Sequence, residues 1–361
     1  MTTPLLEVRG LVKQFSLSAG MFGGGRTVRA VDGVSFSIEP GETLAIVGES
    51  GSGKTTTARL VLLLEEPTAG SIGFQGQNVS IRGDKELLKT YRRSVQAVFQ
   101  DPYSSLSPRM RVQDIIAEPL RIHTRLSGDA LRNRVAVLLD QVGVNPERAR
   151  HYPHQFSGGQ AQRIAIARAL AVRPNLIVLD EPVSSLDMSI RAQILNLLVD
   201  LQKQFNLSYL LISHDLSMVE HMSHNVGVMY AGQLVELTDA EGLYGNPQHP
   251  YTQALLAAVP SLDPDVPLGN IVGGEVANPA DLPTGCRFHP RCPLRVELGL
   301  PPICETLDPV TAKVQKDSSR LCACHFRGPE RTGTDQNPPK SQEDPSTGSR
   351  RVTTGMFDRM A

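Results

Sequence analysis

The sequence predicts an α/β fold with a doubly wound, mostly parallel sheet, and three observations support this prediction. Residues 176–179 and 209–212 are uniformly apolar, as expected for strands that helices cover on both faces. Residues 189–204, which lie between them, are typical of a helix, so the three segments form a β-α-β unit. Earlier in the chain, an apolar run at residues 43–47 precedes a glycine-rich loop and a helical segment at residues 54–64. This order of elements is typical of a doubly wound sheet.

Four further segments complete the predicted element order. Residues 5–12 alternate like an edge strand, and the glycine-rich stretch at 19–25 is interpreted as a loop. Residues 129–142 carry apolar side chains at helical spacing and are followed by a glycine at the C-cap position. Residues 164–172 form another predicted helix.

Composition and charge limit the classes of function. The chain has 361 residues, of which 40% are hydrophobic and 20% charged, as in a globular protein of two or three domains. Lys and Arg total 36 against 37 Asp and Glu, so no overall positive charge is present to bind nucleic acid or an anionic membrane. No apolar stretch approaches the roughly 20 residues that span a bilayer, and no signal peptide is visible at the N-terminus. We therefore expect a protein that stays in the cytoplasm.

Residues 48–55, Gly-Glu-Ser-Gly-Ser-Gly-Lys-Thr, match the complete pattern of a phosphate-binding P-loop. Glycines allow successive backbone N–H groups to point inward at phosphates in front of a helix N-terminus. Lys54 is predicted to reach the β- and γ-phosphates, and Thr55 to hold Mg²⁺ through its hydroxyl. The position between a strand and a helix disfavours the alternative, an accidental loop rich in glycine and serine. The predicted nucleotide-binding set here is Gly48, Ser50, Gly51, Ser52, Gly53, Lys54, Thr55 and Thr56.

The apolar strand at residues 176–179 ends in two acids. Asp180 is placed to bind Mg²⁺, as the acid after such a strand does in P-loop enzymes. Glu181 is predicted to polarise the attacking water. Two acids that only solvate a strand end are the alternative, which the upstream P-loop disfavours.

Residues 156–160, Phe-Ser-Gly-Gly-Gln, lie between the P-loop and this acidic strand end. Alone, the segment is typical of a helix N-cap in which Ser157 accepts a backbone hydrogen bond. In this position it resembles the signature motif of the ATP-binding cassette (ABC) family. The resemblance implies a P-loop NTPase with a RecA-like core and a helical subdomain, which uses ATP and Mg²⁺.

Other family motifs follow in order, and the resemblance covers roughly residues 5–240. Gln100 is similar to the Q-loop glutamine, which contacts Mg²⁺ and the attacking water. Asp187, in Ser-Ser-Leu-Asp, is similar to the D-loop, and His214 to the switch histidine at the γ-phosphate. Phe15 is similar in placement to the aromatic that stacks on adenine, with a buried core aromatic as the alternative.

Two positions depart from the common family pattern. Ser185 stands where the D-loop usually has Ala, and Ala161 follows the signature where a basic residue is common. Neither change removes a group that the family uses to contact phosphate.

Cassettes of this family hydrolyse ATP when two of them pair head to tail. The resemblance implies that the signature of one cassette completes the γ-phosphate site at the P-loop of the other. The signature residues in this role are Ser157, Gly158, Gly159 and Gln160. With one P-loop and one signature, this chain is expected to need a second cassette, and separate permease subunits for any pore.

Three segments resemble the oligopeptide/dipeptide importers within the family. Residues 98–110 are similar to their Q-loop region, residues 246–260 to their C-terminal extension, and residues 19–36 to the F-type member of their paired ATPases. A capping helix is the plainer interpretation of 246–260, and both can hold. The resemblance implies a heterodimer with a paralogous ATPase, docked on two permeases at the cytoplasmic face of the membrane. An extracytoplasmic substrate-binding protein then selects the cargo.

Three alternatives remain beside peptide import. The same branch includes importers of nickel and other solutes, which the ATPase sequence does not distinguish. Soluble cassettes that act on ribosomes or DNA usually carry two cassettes or coiled-coil insertions, and the balanced charge gives no support for a nucleic-acid partner. A nonhydrolytic regulatory cassette is expected to lack Lys54, Glu181 or His214, and all three are present.

All five cysteines lie between residues 286 and 324, and in a reducing cytosol such clustering favours metal or redox chemistry. Residues 285–293 resemble the cysteine segment of peptide-importer ATPases, some of which are thought to hold a four-iron, four-sulfur cluster. Zinc is the second interpretation, although the spacing lacks the usual close cysteine pairs, and unligated buried thiols are the third. The stretch before Cys304 is longer than in the relatives, with Pro301 and Pro302 inserted. The implied cluster ligands are Cys286, Cys292, Cys304 and Cys324, with Cys322 as an alternative fourth.

These interpretations divide the chain into five parts. The RecA-like core is expected in two pieces, residues 1–100 and 165–245, on either side of a helical subdomain at 101–164. A small cysteine-containing C-terminal extension follows at 246–326. Residues 327–361, which are poor in apolar side chains, are expected to form a disordered tail.

Overall fold

The computed structural model describes residues 3–17, 26–258, 273–274, 277–309, 312–313 and 320–327. The glycine-rich stretch at 19–25 and residues 328–361 of the expected tail lie outside the described residues.

Twelve strands are present among the described residues and form two sheets. They are β1 (Leu6–Leu17), β2 (Arg26–Ile38), β3 (Thr43–Val47), β4 (Ala69–Phe74), β5 (Gln77–Val79), β6 (Val95–Val98), β7 (Leu176–Asp180), β8 (Ser208–Ser213), β9 (Asn225–Tyr230), β10 (Gln233–Asp239), β11 (Ala312–Lys313) and β12 (Leu321–Cys322). The smaller sheet is antiparallel with the order β2-β1-β4-β5. The larger has the order β11-β12-β10-β9-β3-β8-β7-β6.

The larger sheet is parallel from β6 to β9 and antiparallel from β9 to β11. Every residue of β3, β7 and β8 is buried, because helices and the smaller sheet cover both faces. The carboxyl ends of β3, β6, β7 and β8 meet at one edge, where parallel sheets bind ligands. The predicted doubly wound core is therefore present, and four segments of the candidate site start from this edge.

The α-helices pack against these sheets or form a separate helical layer. They are α1 (Lys54–Val61), α2 (Lys85–Ser94), α3 (Pro102–Ser105), α4 (Val112–His123), α5 (Gly128–Gln141), α6 (Gly158–Leu170), α7 (Met188–Phe205), α8 (Leu216–Met222), α9 (Ala240–Gly245), α10 (Pro250–Ala257), α11 (Pro293–Glu297) and α12 (Ile303–Thr306). Helices α4, α5 and α6 bury Ile116, Leu138 and Ile164 in one core cluster. In the described ranges, no helix is long and apolar enough to cross a membrane.

The C-terminal extension joins the larger sheet. Strand β12 pairs with β10, with Cys322 opposite Glu236. Phe288 is 1% exposed and its ring contacts those of Tyr230 and Tyr251 at centroid distances of 5.3 and 5.4 Å. The extension is thus anchored by sheet hydrogen bonds and by aromatic packing.

Candidate nucleotide-binding site

The P-loop connects β3 to α1 and is shaped by close backbone contacts. Gly48 and Gly53 have φ angles of 152° and 107°. A Cβ atom at Gly48 would lie 2.1 Å from the Met229 carbonyl oxygen, and one at Gly53 would lie 2.2 Å from the Ala30 carbonyl oxygen. Glycine is therefore required at both positions for steric as well as conformational reasons.

Lys54, the first residue of α1, folds back over the loop. Its Nζ atom donates to the carbonyl oxygens of Gly48 at 2.7 Å and Glu49 at 2.8 Å. Burial lowers the pKa of Lys54, and the carboxylates of Glu181, Asp180 and Glu49 oppose that change. The ammonium is thus a charged group next to the phosphate-binding loop.

Asp180 ends β7 beside Thr55 of α1. The Thr55 hydroxyl lies 3.4 Å from Asp180 Oδ1. Burial raises the pKa of Asp180, as does the neighbouring charge of Glu181, while Thr55 and Lys54 act in the opposite direction. A partly buried carboxylate beside a hydroxyl is the type of oxygen pair that Mg²⁺ prefers.

Glu181 and His214, predicted from separate motifs, are in direct contact. His214 Nδ1 lies 3.0 Å from Glu181 Oε1. Glu181 has a φ of 49°, and its N–H donates to the Ile212 carbonyl oxygen at 2.9 Å. The chain beyond β7 is therefore turned toward the end of β8, which brings the two side chains together.

One cavity of about 680 Å³ is lined by nine of the predicted site residues. Gln100, which follows β6, lies on its wall with Glu181 and His214. The full lining is Val28, Ala30, Ser50, Gly51, Gly53, Lys54, Thr55, Thr56, Gln100, Glu181, His214 and Pro279. Residues that follow the ends of four parallel strands, β3, β6, β7 and β8, therefore face one cavity large enough for a nucleotide.

The apolar wall of this cavity differs from the sequence-based expectation. Phe15 lies on β1 opposite Val28 of β2, and of these two residues it is Val28 that lines the cavity. Phe15 instead contacts Lys13, whose Nζ lies 5.0 Å from the ring centroid. Sequence reasoning missed Val28, Ala30 and Pro279, because neither a strand residue nor a loop proline carries a motif.

The signature segment lies at the start of α6. Ser157 Oγ accepts from the Gln160 N–H at 3.4 Å, while Gln160 Oε1 accepts from the Ser157 N–H at 3.3 Å, a reciprocal capping box. Gly159 is packed so closely that a Cβ there would lie 2.5 Å from Ile190. Ser157 is exposed, and none of residues 157–160 lines the 680 Å³ cavity.

The D-loop segment is likewise outside the cavity. Asp187 is exposed and occupies the N-cap position of α7. The Ser185 hydroxyl donates to the Gln100 carbonyl oxygen at 3.3 Å, so this segment contacts the Q-loop. Within a single chain, then, the structure brings the P-loop, Gln100, Asp180, Glu181 and His214 together, but not the signature or Asp187.

Four of the five cysteines line a second, narrow cavity of about 20 Å³: Cys286, Cys292, Cys304 and Cys324. Burial raises the pKa of all four thiols, in Cys286 to about 12. Cys322 is fully buried on β12 and does not line this cavity. All five are free thiols.

The iron–sulfur prediction receives no support from this arrangement. Among the residues that the structure describes, no group of three or more His, Cys, Asp or Glu side chains is positioned to hold a metal ion. The set of four soft sulfur donors suits iron or zinc chemically, whereas burial favours neutral thiols and outweighs the opposing charge of Arg295 at Cys292 and Cys304.

Comparisons with known sequences agree with the motif assignment. The family model described as "ABC transporter" matches residues 31–184, and the model "Oligopeptide/dipeptide transporter, C-terminal region" matches residues 235–298. The chain is 50% identical to the di/tripeptide transport ATP-binding protein DppF of Pseudomonas aeruginosa, over 81% of this chain and 91% of that protein. It is 48% identical to the oligopeptide transport ATP-binding protein AppF of Bacillus subtilis, over 89% of this chain and 97% of the relative.

Solved structures of cassettes share the fold. The dimeric cassette MJ0796 in a post-hydrolysis state with ADP and Pi gives a TM-score of 0.57 at 28% identity, over 65% of this chain and 98% of that one. The cassette cbiO1 of Clostridium perfringens gives a TM-score of 0.57 at 27% identity, over 68% of this chain and 92% of that one.

Proposed function

This chain belongs to the ATP-binding proteins of ABC transporters, and from that premise we propose that it is the F-type ATPase of a peptide importer. ATP hydrolysis is the activity of this family. The observation that carries the proposal is the combination of one nucleotide cavity, formed by Lys54, Glu181 and His214, with the oligopeptide/dipeptide transporter region at 235–298. Relatives that are about half identical over most of their length are named for di- and oligopeptide transport.

The charged and polar residues at this site have proposed roles in hydrolysis. Lys54 and the P-loop N–H groups bind the phosphates, where fixed donors stabilise the charge that develops in the transition state. Glu181 orients and polarises the attacking water, and His214, at 3.0 Å from Glu181, contacts the γ-phosphate. Thr55, Asp180 and Gln100 would hold Mg²⁺, which when bound offsets phosphate charge.

The second cassette, which pairs with this chain to complete the ATP site, is proposed to be a paralogous ATPase. Ser157 and Asp187 are exposed and lie outside the cavity of their own chain, which suits a role at the ATP of a partner. The heterodimer docks on two permease subunits at the cytoplasmic face of the membrane. Residues 101–155 form the docking region, where Ile122 and Val137 are 64% and 48% exposed. An extracytoplasmic substrate-binding protein delivers the cargo to the permeases.

Purification from membranes tests this proposal. Two permeases and a second cassette are expected to co-purify with the tagged chain, and the complex in vesicles is expected to take up labelled dipeptide when ATP is supplied. Uptake of nickel but not of dipeptide would reject the assignment to peptide import in favour of nickel import. Co-purification of ribosomes or DNA in place of permeases would replace the importer assignment altogether.

A metal centre at the cysteine cavity is the finer part of the proposal. Cys286, Cys292, Cys304 and Cys324 would be the ligands of a four-iron, four-sulfur cluster; what favours this is the chemical type of the donors, four thiols that line one cavity, and not their placement, which is not that of a metal-binding group among the described residues. The test is anaerobic purification followed by iron, sulfide and zinc analysis. Folded protein without iron and sulfide would reject the cluster, and stoichiometric zinc would identify a zinc site instead.

A further inference from the structure

Arg291 of the C-terminal extension contacts the phosphate-binding loop directly. Two nitrogens of its guanidinium donate to the two carboxylate oxygens of Glu49, at 2.9 and 3.0 Å. Glu49 is the second residue of the P-loop motif, and the Arg291 side chain is 8% exposed. A paired, charge-assisted contact of this kind is both strong and directional. It fixes the Glu49 side chain relative to the extension.

The backbone of Glu49 is held as well. Its N–H donates to the Tyr251 hydroxyl at 2.9 Å, and its carbonyl oxygen accepts from Lys54 Nζ at 2.8 Å. Tyr251 belongs to α10 of the extension and is 2% exposed. Side chains of the extension therefore contact the carboxylate and the N–H of Glu49, and Lys54 contacts its carbonyl oxygen.

Arg291 is itself held in place. Its guanidinium lies 5.9 Å from the ring centroids of both Tyr230 and Phe288, within the range of cation–π attraction. The next residue is Cys292, whose thiol lines the cysteine cavity. One short segment thus connects the cysteine cavity to the P-loop.

The charge of Glu49 has a direct bearing on nucleotide binding. Its carboxylate acts electrostatically on Lys54, the predicted phosphate ligand. If the Glu49 carboxylate were unpaired, it would also repel the phosphates that Lys54 binds, because like charges repel strongly in a partly buried site. The guanidinium of Arg291 offsets that charge.

We propose that Arg291 is a positioning residue for ATP binding: it neutralises Glu49 and fixes the P-loop at this residue, so that nucleotide affinity depends on the C-terminal extension. The inference rests on the proposed binding of ATP phosphates at the P-loop.

The test uses the complete transporter with its partner cassette and permeases. In Arg291→Met, the KM for ATP is expected to rise about tenfold while kcat changes less than about twofold, because the unpaired carboxylate opposes binding rather than the chemical step. Arg291→Lys keeps the charge and loses the paired geometry, so its KM is expected to rise only about threefold.

A second substitution separates charge from packing. In Arg291→Met combined with Glu49→Gln, the KM is expected to return to within about twofold of the wild-type value, because no repelling charge remains. Damage to packing alone would not be rescued in this way. Arg295→Met is the matched control, since Arg295 forms an ion pair with Glu305 in the same segment, away from the P-loop. The KM for ATP of Arg295→Met is expected to equal that of the wild-type complex.

The outcomes distinguish this inference from the proposed function. An unchanged KM in Arg291→Met, or a raised KM that Glu49→Gln does not restore, overturns the inference. If Arg291→Met does not fold, an Arg291→Lys variant with a KM raised tenfold or more overturns it as well. Failure of the wild-type complex to bind ATP in a direct titration would instead reject the proposed function.

Discussion

The nucleotide cavity and the cysteine cavity both gather ionisable side chains, but they do so in different ways. The nucleotide cavity, at about 680 Å³, joins Lys54, Glu181 and His214, which are placed by the ends of parallel strands. The cysteine cavity, at about 20 Å³, joins four thiols: Cys304 lies on the short helix α12, and Cys286, Cys292 and Cys324 lie outside the helices and strands. In the first, burial lowers the pKa of Lys54 and the nearby carboxylates oppose that change, whereas in the second, burial raises the pKa of Cys286 to about 12. Parallel strands therefore bring groups of opposite charge to the nucleotide cavity, while the extension gathers buried thiols around a small cavity that has Arg295 on its wall.

The largest expected effect separates catalysis from binding in the first cavity. Glu181→Gln is expected to reduce ATP turnover by about 10⁴-fold, because the amide does not act as a base toward water. ATP binding is expected to persist, since Lys54 and the P-loop are unchanged. Turnover and nucleotide titration of the chain paired with a second cassette measure the two effects. Glu86→Gln, at the start of α2, is the control and should leave turnover unaltered. Normal turnover in Glu181→Gln would show that the water is activated by another group.

The second prediction concerns the protonation state of the Cys286 thiol, which lines the cysteine cavity. Burial raises the pKa of Cys286 to about 12 from an ordinary value of 9.0. At pH 7.5 the metal-free folded protein is therefore expected to react with iodoacetamide at Cys286 about a thousandfold more slowly than the unfolded chain. Mass spectrometry of the labelled peptide measures both rates.

The same pKa difference sets a direction for stability. The folded state favours the neutral thiol, so this contribution is complete below pH 9 and is lost as the pH rises from 9 toward about 12. The free energy of unfolding in urea should thus fall over that range, and less so in Cys286→Ser.

In the alkylation experiment, equal rates for Cys286 in the folded and unfolded chains would mean that burial does not protect this thiol.

The third prediction tests how tightly the P-loop is packed. Gly48→Ala places a Cβ 2.1 Å from the Met229 carbonyl oxygen, at a φ of 152°. We expect a loss of about 3 kcal/mol in the free energy of unfolding and no measurable ATP binding. Gly245→Ala at the end of α9, where no described atom lies within 4 Å of the added carbon, should change stability by less than about 0.5 kcal/mol. Chemical denaturation compares the two variants, and equal stability would contradict the packing argument.

The smallest expected effect concerns how the extension is attached to the sheet. Glu236 is fully buried and accepts from the N–H groups of Gln248 and His249 as well as from Arg320. Arg320→Met removes the only cation in this set and is expected to cost about 2 kcal/mol, less than a wholly unpaired charge because the two N–H groups remain.

The exposed pair of Arg82 and Glu66 provides the matched comparison for this ion pair. Arg82→Met is expected to cost less than about 0.5 kcal/mol, since water screens the pair. Urea denaturation of both variants tests the difference. A loss in Arg320→Met no larger than in Arg82→Met would show that Glu236 does not depend on the cation.

Elements with strong local patterns were predicted well. The buried strand predicted at 43–47 is β3 with the same bounds, and the helix predicted at 129–142 is α5, Gly128–Gln141. The helix predicted at 164–172 begins earlier, at Gly158, because the capping box of Ser157 and Gln160 starts it within the signature segment. The spacing of apolar residues alone does not locate the start of a helix whose first turn consists of polar residues and glycines.

The sequence by itself determined the P-loop, the acids after β7 and the β-α-β unit of β7, α7 and β8, because each depends on residues close together in the chain. Spacing between Gly48 and Thr55 encodes a local loop, and an apolar strand that ends in acids places them at a sheet edge. Only the tertiary structure decided that His214 contacts Glu181, that Val28 and Pro279 line the cavity, and that Arg291 pairs with Glu49. These contacts join residues 33 to 242 positions apart in the chain, and they depend on how strands cross over and how the extension packs. No local pattern records that information, because it arises only when the sheet and the extension are assembled.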